Sequence, residues 1–376
     1  MGKTSRIIRC TASMVAALLL IFAPAACKKS NTAKQPLRIL ILGGTGYLGP
    51  ATIDAAQARG HKISMFNRGR TRPELYPEVE KLQGDRDPDK DEGLKALESG
   101  EWDVVIDNSG YFPRMVKASA ELLSTRSKHY IYISSISAYS EPNPVNGDEG
   151  APLATMDDPT IEDMGASYEN FGPLKALCEQ AAEVAMPGRT TIVRPGYIVG
   201  PDDPSGRFTY WPVKFDKSGE IIVPGDPNDP VQFVDVRDLG AWLVKLAEDG
   251  TMGVFHATGP ATGLKWGQLI NECVKASTAD PKPTPVWADN TAEKSIGLGV
   301  YPIWISPRGH YEGFHTWNIQ KAVKAGLKFR PVAETVKDTL AWYREQEKVE
   351  GGRTRLAGPT AEMEAELFEA AKAERE

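Results

Sequence analysis

Four closely spaced glycines, at positions 43, 44, 46 and 49, carry the strongest chemical signal in the stretch LRILILGGTGYLGP. They follow a short apolar run and precede apolar residues at helical spacing, so they connect a strand to a helix. Glycine allows the backbone N–H groups to approach a pyrophosphate at the helix N-terminus, where the dipole favours negative charge. In this context the spacing predicts a dinucleotide-binding loop, with an ordinary glycine turn as the alternative. We expect the cofactor to contact Gly43, Gly44, Thr45, Gly46, Tyr47, Leu48 and Gly49.

The end of the second predicted strand, FNRGR, indicates which dinucleotide binds. Enzymes that prefer NAD usually have an acidic residue here to bind the ribose 2′-hydroxyl, whereas NADP requires positive charge. Asn67 replaces the acid, and Arg68 and Arg70 could pair with a 2′-phosphate. Two solvated loop arginines are the alternative. The sequence thus predicts NADP or NAD as cofactor and favours NADP.

The elements that must position this loop alternate between strands and helices. Short runs rich in Ile, Val, Leu and Tyr have the length of buried strands, and helical patterns separate them. This order predicts an α/β fold with a Rossmann-type doubly wound parallel sheet. The predicted strands are 37–42, 62–66, 102–107, 129–134 and 190–195.

The alternation breaks after about residue 200, where Pro and Gly become frequent. We expect residues 37–200 to form the dinucleotide-binding domain and residues 201–350 a smaller substrate-binding lobe interleaved with it. Residues 351–376 read as a charged amphipathic helical tail.

Several segments in the same order resemble one family. The segments GGTGYLGP, FNRGRT, QGDRD, VRPGYIVGP and VQFVDVRDLGAWLV resemble extended short-chain dehydrogenases/reductases of the NAD-dependent epimerase/dehydratase type. They are more narrowly similar to a bacterial branch that includes relatives of chloroplast stem-loop RNA-binding proteins. The resemblance spans roughly residues 37–345. It implies that Asp85 contacts adenine, with a simple turn aspartate as the alternative, and that two copies of the chain pair through helices as a homodimer.

In the family, a Ser or Thr polarises the substrate oxygen, a Tyr exchanges the proton, and a Lys four residues later lowers the Tyr pKa and holds the nicotinamide ribose. The resemblance assigns Ser135 and Lys175 to the first and last of these roles. For Ser135, a small polar residue that closes the strand is the alternative. Residue 171, where the Tyr is expected, is Phe, which has no proton to exchange. Tyr168 is a candidate substitute, although Pro173 indicates that the helix is only starting there and that Tyr168 lies in the entering loop.

The resemblance extends to the substrate end of the site. Pro195 and Gly196 match the family segment that passes beneath the nicotinamide. Arg207, Tyr210 and Trp211 follow at the mouth of the second lobe and could stack on or hydrogen-bond a sugar. Plain packing of the lobe is the alternative for these three side chains.

Composition excludes some function classes. The chain has 376 residues, 41% of them hydrophobic, and a net charge of −6, which argues against nucleic-acid binding through bulk charge. Its 4 cysteines and 5 histidines are scattered without the spacing of metal ligands. We therefore expect no nucleic-acid partner and no metal, and the family resemblance implies a small-molecule substrate, a sugar derivative.

The N-terminus reads as an export signal. Basic MGKTSRIIRC precedes the apolar run MVAALLLIFA and the small residues APAAC, so residues 1–27 have the order of a secretory signal. The segment resembles a bacterial lipoprotein signal with Cys27 as the lipidated residue and residues 28–36 as a tether; simple cleavage near APA is the alternative. The sequence predicts a periplasmic protein or a lipoprotein whose membrane contact is the lipid on Cys27.

Two functions remain open at this level. The first is an NAD(P)-dependent epimerase, dehydratase or reductase that acts on a secondary alcohol of a sugar or sugar derivative. The second is a catalytically altered dinucleotide-binding protein that binds a ligand or partner at the cell envelope. Fold alone does not choose between them, because function resides in the site.

Overall fold

A seven-stranded sheet forms the centre of the computed structural model, which describes residues 1–2, 35–288, 300–349 and 355–373. All of its strand pairs are parallel, with spatial order β10-β6-β5-β4-β1-β2-β3. The strands are β1 (Arg38–Leu42), β2 (Lys62–Asn67), β3 (Glu80–Gln83), β4 (Trp102–Asp107), β5 (Ser127–Ile133), β6 (Thr190–Pro195) and β10 (Gly253–Ala257). The predicted Rossmann-type α/β fold is confirmed.

Helices cover both faces because alternate residues of β1 point to opposite sides. Ile39 and Ile41 pack in one buried cluster with residues of α1 (Leu48–Gln57) and α5 (Val236–Asp249). Leu40 and Leu42 pack in another with residues of α2 (Pro113–Leu123) and α3 (Phe171–Ala185). The strand residues are apolar on both sides, as a sheet buried on both faces requires.

The sequence did not predict two edge strands. Strand β3 is EKLQ, which is too polar to stand out as a buried strand. Strand β10 comes from beyond residue 200, yet it pairs with β6 from Gly253↔Thr191 to Ala257↔Pro195. The second half of the chain therefore completes the sheet begun by the first.

A smaller lobe has its own buried aromatic cluster. It contains two short parallel pairs, β7 (Tyr197–Val199) with β9 (Phe233–Asp235) and β8 (Glu220–Pro224) with β11 (Thr284–Ala288). The remaining α-helices of the described residues are α4 (Tyr210–Lys214), α6 (Trp266–Ala276), α7 (Gln320–Lys324), α8 (Val332–Glu347) and α9 (Ala361–Ala373).

The C-terminal helix packs as part of this lobe. Leu367 of α9 is fully buried in the lobe cluster, and Glu364 pairs with Lys214 of α4. The described residues from Pro36 onward belong to one compact unit. Within the described ranges no helix is long and apolar enough to cross a membrane. Cys27 and nearly all of the predicted signal and tether lie outside the described residues.

Candidate active site

A cavity of about 1050 Å³ opens where the strands of the central sheet end. Its walls come from the residues that follow β1, β2, β3, β4, β5 and β6, together with the start of α3 and the segment that enters the lobe. Ligands of open parallel sheets bind outside the carboxyl ends of the strands, so this is the expected position for a cofactor.

The glycine loop forms one wall. Gly43 has φ +87°, a conformation that residues with a Cβ rarely adopt, and its N–H donates to Phe66 O at 2.9 Å. A Cβ on Gly49 would lie 2.2 Å from Gly44 O, so helix α1 can approach the loop only with glycine there. Gly44 and Gly49 do not line the cavity. Five other residues of the loop do: Gly43, Thr45, Gly46, Tyr47 and Leu48.

Arg72 fixes the outer side of this loop, a contact that the sequence did not predict. Its guanidinium donates to Thr45 O at 2.9 Å and to Gly46 O at 3.2 Å, and it also pairs with Asp202 of the segment that enters the lobe. Arg72 thus joins the glycine loop to the second half of the chain.

The residues predicted to choose the dinucleotide also line the cavity. Asn67 Oδ1 accepts a bond of 2.8 Å from Gly69 N, which shapes the turn after β2. Arg68 and Arg70 are exposed, and Arg70 lies 3.7 Å from Asp91. Asp85 lines the same end, and its carboxylate accepts a bond of 2.9 Å from Asp87 N, as a turn aspartate does.

A buried ion pair stabilises the floor next to Asp85. Arg86 donates to both carboxylate oxygens of Asp107 at 2.5 and 2.8 Å, and Tyr130 Oη donates to Asp107 Oδ2 at 2.6 Å. The Arg86 guanidinium and these hydrogen bonds hold the Asp107 pKa below its ordinary value, although burial alone would raise it. Sequence reasoning missed Arg86. The available signal was Asp107, an acidic residue at the end of the buried strand β4, because a buried carboxylate needs a positively charged partner.

Ser135 and Lys175 come together in the same cavity. Ser135 Oγ accepts from Ser137 N at 3.1 Å, which leaves its own proton available to a ligand. Lys175 is 4% exposed, and its Nζ donates to Ile133 O at 2.6 Å and Gly110 O at 2.9 Å. Burial lowers the Lys175 pKa to about 8.

Phe171 and Tyr168 are separated by the start of the helix. Phe171 is the first residue of α3 and lines the cavity, one turn before Lys175. Tyr168 lies in the preceding loop with φ +61°, is 71% exposed and is not among the residues that line the cavity. The structure therefore does not bring Tyr168 to Ser135 and Lys175.

Another phenol does lie there. Tyr111 follows β4, lines the cavity, and places its ring centroid 5.4 Å from Lys175 Nζ. Sequence reasoning missed it, although DNSGY sits at the carboxyl end of a predicted strand, where ligand-contacting residues are expected.

The predicted substrate residues separate into two groups. Arg207 is exposed in the cavity, where its guanidinium lies 4.9 Å from the Tyr197 ring. Tyr210 and Trp211 are instead buried in the lobe core, where Trp211 Nε1 donates to Pro302 O at 2.7 Å. Tyr210 and Trp211 therefore pack in the lobe, which was the alternative to sugar binding.

The segment between β6 and Arg207 completes the cavity wall. Pro195 and Gly196 line it, and a Cβ on Gly196 would lie 2.5 Å from Thr258 Oγ1. Asp203 also lines it; the residue is 2% exposed, and its Oδ2 has no hydrogen-bond partner among the described residues. In the part of the chain that the structure describes, no group of three or more His, Cys, Asp or Glu side chains could hold a metal ion.

Comparison with known proteins identifies the family. A model of the NAD dependent epimerase/dehydratase family matches residues 39–255. This range is more than half of the chain, so the chain belongs to that family. The predicted family is thereby confirmed, whereas the narrower bacterial branch stays a prediction.

Individual relatives are distant. The chain is 26% identical, over 224 residues, to the bifunctional pinoresinol-lariciresinol reductase of Thuja plicata, covering 57% of this chain and 67% of that protein. It is similar in structure to the Bordetella bronchiseptica enzyme WbmH in complex with NAD⁺, with a TM-score of 0.59 and 17% sequence identity; the match covers 82% of this chain and 99% of that chain. The UDP-glucuronic acid 4-epimerase from Bacillus cereus in complex with NAD gives a TM-score of 0.57 and 14% sequence identity; the match covers 82% of this chain and 99% of that chain. At these identities the two structures show a shared fold.

Proposed function

We propose that the protein is an NAD(P)-dependent oxidoreductase or isomerase that interconverts a secondary alcohol and a ketone of a sugar or sugar derivative. The observation that carries this proposal is the continuity of the cavity, in which the glycine loop, Ser135, Lys175 and Gly196 line one space of about 1050 Å³. Pockets for small ligands measure roughly 300–1,000 Å³. The space therefore suits a dinucleotide together with part of a substrate.

The residues present fit a nicotinamide dinucleotide. The loop with Gly43 and Gly46 would bind the pyrophosphate, Asp85 the adenine end, and Lys175 the nicotinamide ribose. When bound, the nicotinamide supplies a hydride acceptor or donor. Ser135 would donate its hydroxyl proton to the substrate oxygen, which polarises the carbon that reacts.

The exposed arginines support NADP as the preferred form. Arg68 and Arg70 present two exposed guanidinium groups after β2, Arg70 within 3.7 Å of Asp91, and the neighbouring Asn67 amide carries no negative charge to repel a 2′-phosphate. Replacing both arginines with Ala should weaken NADPH binding about tenfold relative to NADH, or ~1.4 kcal/mol. Lys128→Ala is a matched control, since Lys128 is an exposed cation on β5 that does not line the cavity. Equal losses for both cofactors would contradict the NADP preference.

The outer end of the cavity supports an anionic sugar derivative as substrate. Arg207 is exposed and lines the cavity, where its Nε donates to Ser205 Oγ and its guanidinium packs on the Tyr197 ring. A guanidinium binds phosphate and carboxylate groups well. The similar fold of the Bacillus cereus protein, an epimerase of a UDP-sugar, suggests the same substrate class.

A second candidate is a dinucleotide-binding protein without redox activity. Phe171 favours it, because a benzyl ring at the start of α3 cannot exchange a proton. Such a protein would bind a ligand or partner at the cell envelope.

One set of measurements separates the two candidates. One portion of the purified protein is denatured, and the nucleotides that it releases are identified. A second, native portion is freed of bound nucleotide and titrated with NADH and NADPH by fluorescence. UDP-glucose, UDP-glucuronic acid and UDP-N-acetylglucosamine are then added to the oxidised complex. Reduction of the bound cofactor, or formation of an epimer, is expected for the oxidoreductase. Binding without either reaction supports the second candidate, and no binding of either dinucleotide overturns both.

Export is a separate part of the proposal. The order of basic, apolar and small residues before Cys27, with a polar tether behind it, supports a lipoprotein signal. Cys27→Ser should shift the protein from the membrane fraction to the soluble fraction of cells that express it. An unchanged distribution would instead favour simple cleavage of the signal, or retention of the protein inside the cell.

A further inference from the structure

Oxidation of a secondary alcohol removes a hydride from carbon and a proton from oxygen, so a proton acceptor must lie beside the reacting carbon. Phe171 cannot supply one. Lys175 Nζ donates to the carbonyl oxygens of Gly110 and Ile133, and an ammonium has no lone pair with which to accept a proton. Any base must therefore come from another side chain of the cavity wall.

Tyr111 has the chemistry and the position. It follows Gly110 in the loop after β4, lines the cavity and is 48% exposed. Its ring centroid is 5.4 Å from Lys175 Nζ, and its hydroxyl has no hydrogen-bond partner among the described residues. A phenol with an open hydroxyl beside a lysine ammonium can exchange a proton with a ligand.

The loop that carries Tyr111 is fixed from both sides. Gly110 O accepts hydrogen bonds from Lys175 Nζ at 2.9 Å and from Tyr132 Oη at 2.8 Å. A Cβ on Gly110 would lie 2.6 Å from Val116 Cγ2 and 2.9 Å from Tyr132 Cε2, so the backbone is closely packed. This packing fixes the backbone next to Tyr111 before any ligand binds, which reduces the cost of ordering the loop.

The other phenols near this point are hydrogen-bonded or have their rings packed on a different cation. Tyr132 lies 4.4 Å from Lys175 Nζ but is fully buried, does not line the cavity, and donates its proton to Gly110 O. Tyr47 donates to Gly200 O at 3.4 Å. Tyr197 packs against the Arg207 guanidinium at the entry to the lobe. Asp203, whose carboxylate lies at this entry, uses its Oδ1 to accept hydrogen bonds from Ser205 N at 2.9 Å and Ser205 Oγ at 2.7 Å.

We propose that Tyr111 takes the place of the phenol absent at residue 171 and exchanges the proton with the substrate hydroxyl; this inference rests on the proposed oxidoreductase function. In oxidation, the C–H electron pair leaves as a hydride to C4 of the oxidised nicotinamide, and the O–H proton passes to the phenolate oxygen of Tyr111. The products are the ketone, the reduced nicotinamide and the neutral phenol. Reduction runs through the same groups in reverse.

Electrostatics favour the neutral phenol at rest. Burial, and to a smaller degree the Asp107 carboxylate of β4, raise the Tyr111 pKa. Tyr111 is therefore protonated at neutral pH and ready to donate to a ketone. The positive charges of an oxidised nicotinamide and of Lys175 on α3 would favour the phenolate that oxidation requires.

The first test is Tyr111→Phe, which removes one oxygen atom and leaves the ring. Turnover with the UDP-sugar that the wild type converts is expected to fall about a hundredfold or more, while the NADH dissociation constant stays unchanged. Tyr311→Phe removes a phenol oxygen outside the cavity and serves as the control. Retained turnover in Tyr111→Phe, or an equal loss in Tyr168→Phe, would overturn the proposal.

A second test needs no substrate. The tyrosinate absorption of the wild type is titrated with and without NAD⁺, and the same is done for Tyr111→Phe. We expect NAD⁺ to move one tyrosinate transition to lower pH in the wild type and not in the variant. Identical difference spectra for the two proteins would refute the role of Tyr111 even when no substrate has been found. Failure of the wild type to bind any dinucleotide would refute the proposed function itself, and the inference with it.

Discussion

The ammonium of Lys175 provides the most direct test of how the cavity binds its cofactor. The side chain is 4% exposed, and burial lowers its pKa to about 8. A lysine carries its charge below its pKa and loses it above. The charged form is therefore present at neutral pH and disappears as the pH rises through about 8.

The size of the effect follows from that pKa. The charged fraction falls from about nine-tenths at pH ~7 to about one-tenth at pH ~9. If only the ammonium form of Lys175 binds the nicotinamide ribose well, dinucleotide affinity falls by up to about tenfold over this range, or ~1.4 kcal/mol. The phosphates of NADH do not titrate there, so the change belongs to the protein.

The assay is a fluorescence titration with NADH at the two pH values, on the wild type and on Lys175→Met. Methionine has a similar length and no charge, so the variant should bind more weakly at neutral pH and show no dependence on pH. Circular dichroism checks the fold, because Met removes the Lys175 donor from Ile133 O and leaves Gly110 O with Tyr132 Oη. A wild-type dissociation constant that is the same at both pH values would refute the assigned role of the ammonium.

Two further predictions concern stability and the glycine loop. Glu179 of α3 and Arg194 of β6 form a buried ion pair with two hydrogen bonds. Glu179→Gln should lower the free energy of unfolding by about 3–5 kcal/mol in urea denaturation, because it leaves the buried Arg194 charge uncompensated. A loss below about 1 kcal/mol, the usual value of a surface pair, would contradict this. Gly49→Ala should abolish dinucleotide binding while the sheet persists, since the new Cβ would lie 2.2 Å from Gly44 O and force the loop apart; unaltered NADH affinity would show that the loop does not bind the cofactor.

Local patterns predicted much of the fold and one half of the site. Strands β4 and β6 match their predicted bounds, because continuous apolar runs of that length are specific for buried strands. The glycine loop was equally predictable from spacing. Strand β3 was not, because edge strands need no apolar run, and its sequence EKLQ is mostly polar.

The side chain that we propose for proton exchange could not be located in this way. Tyr168 is three residues from Phe171 in sequence, yet the turn before α3 leaves it 71% exposed and outside the cavity. Tyr111 is 64 residues from Lys175, and the packing of β4 beside β5 and of α3 on the sheet brings the two within contact. Similarly, Tyr210 and Trp211 follow Arg207 closely, but α4 turns them into the lobe core.

The sequence by itself determined the fold, the family and the dinucleotide loop, because each depends on residues that are neighbours along the chain. It also determined that residue 171 lacks a phenol. Only the tertiary structure decided which side chains share the cavity with Lys175, since the carboxyl ends of parallel strands bring together loops that are distant in sequence. That is why Tyr111 and Arg86 line the site while Tyr168 does not.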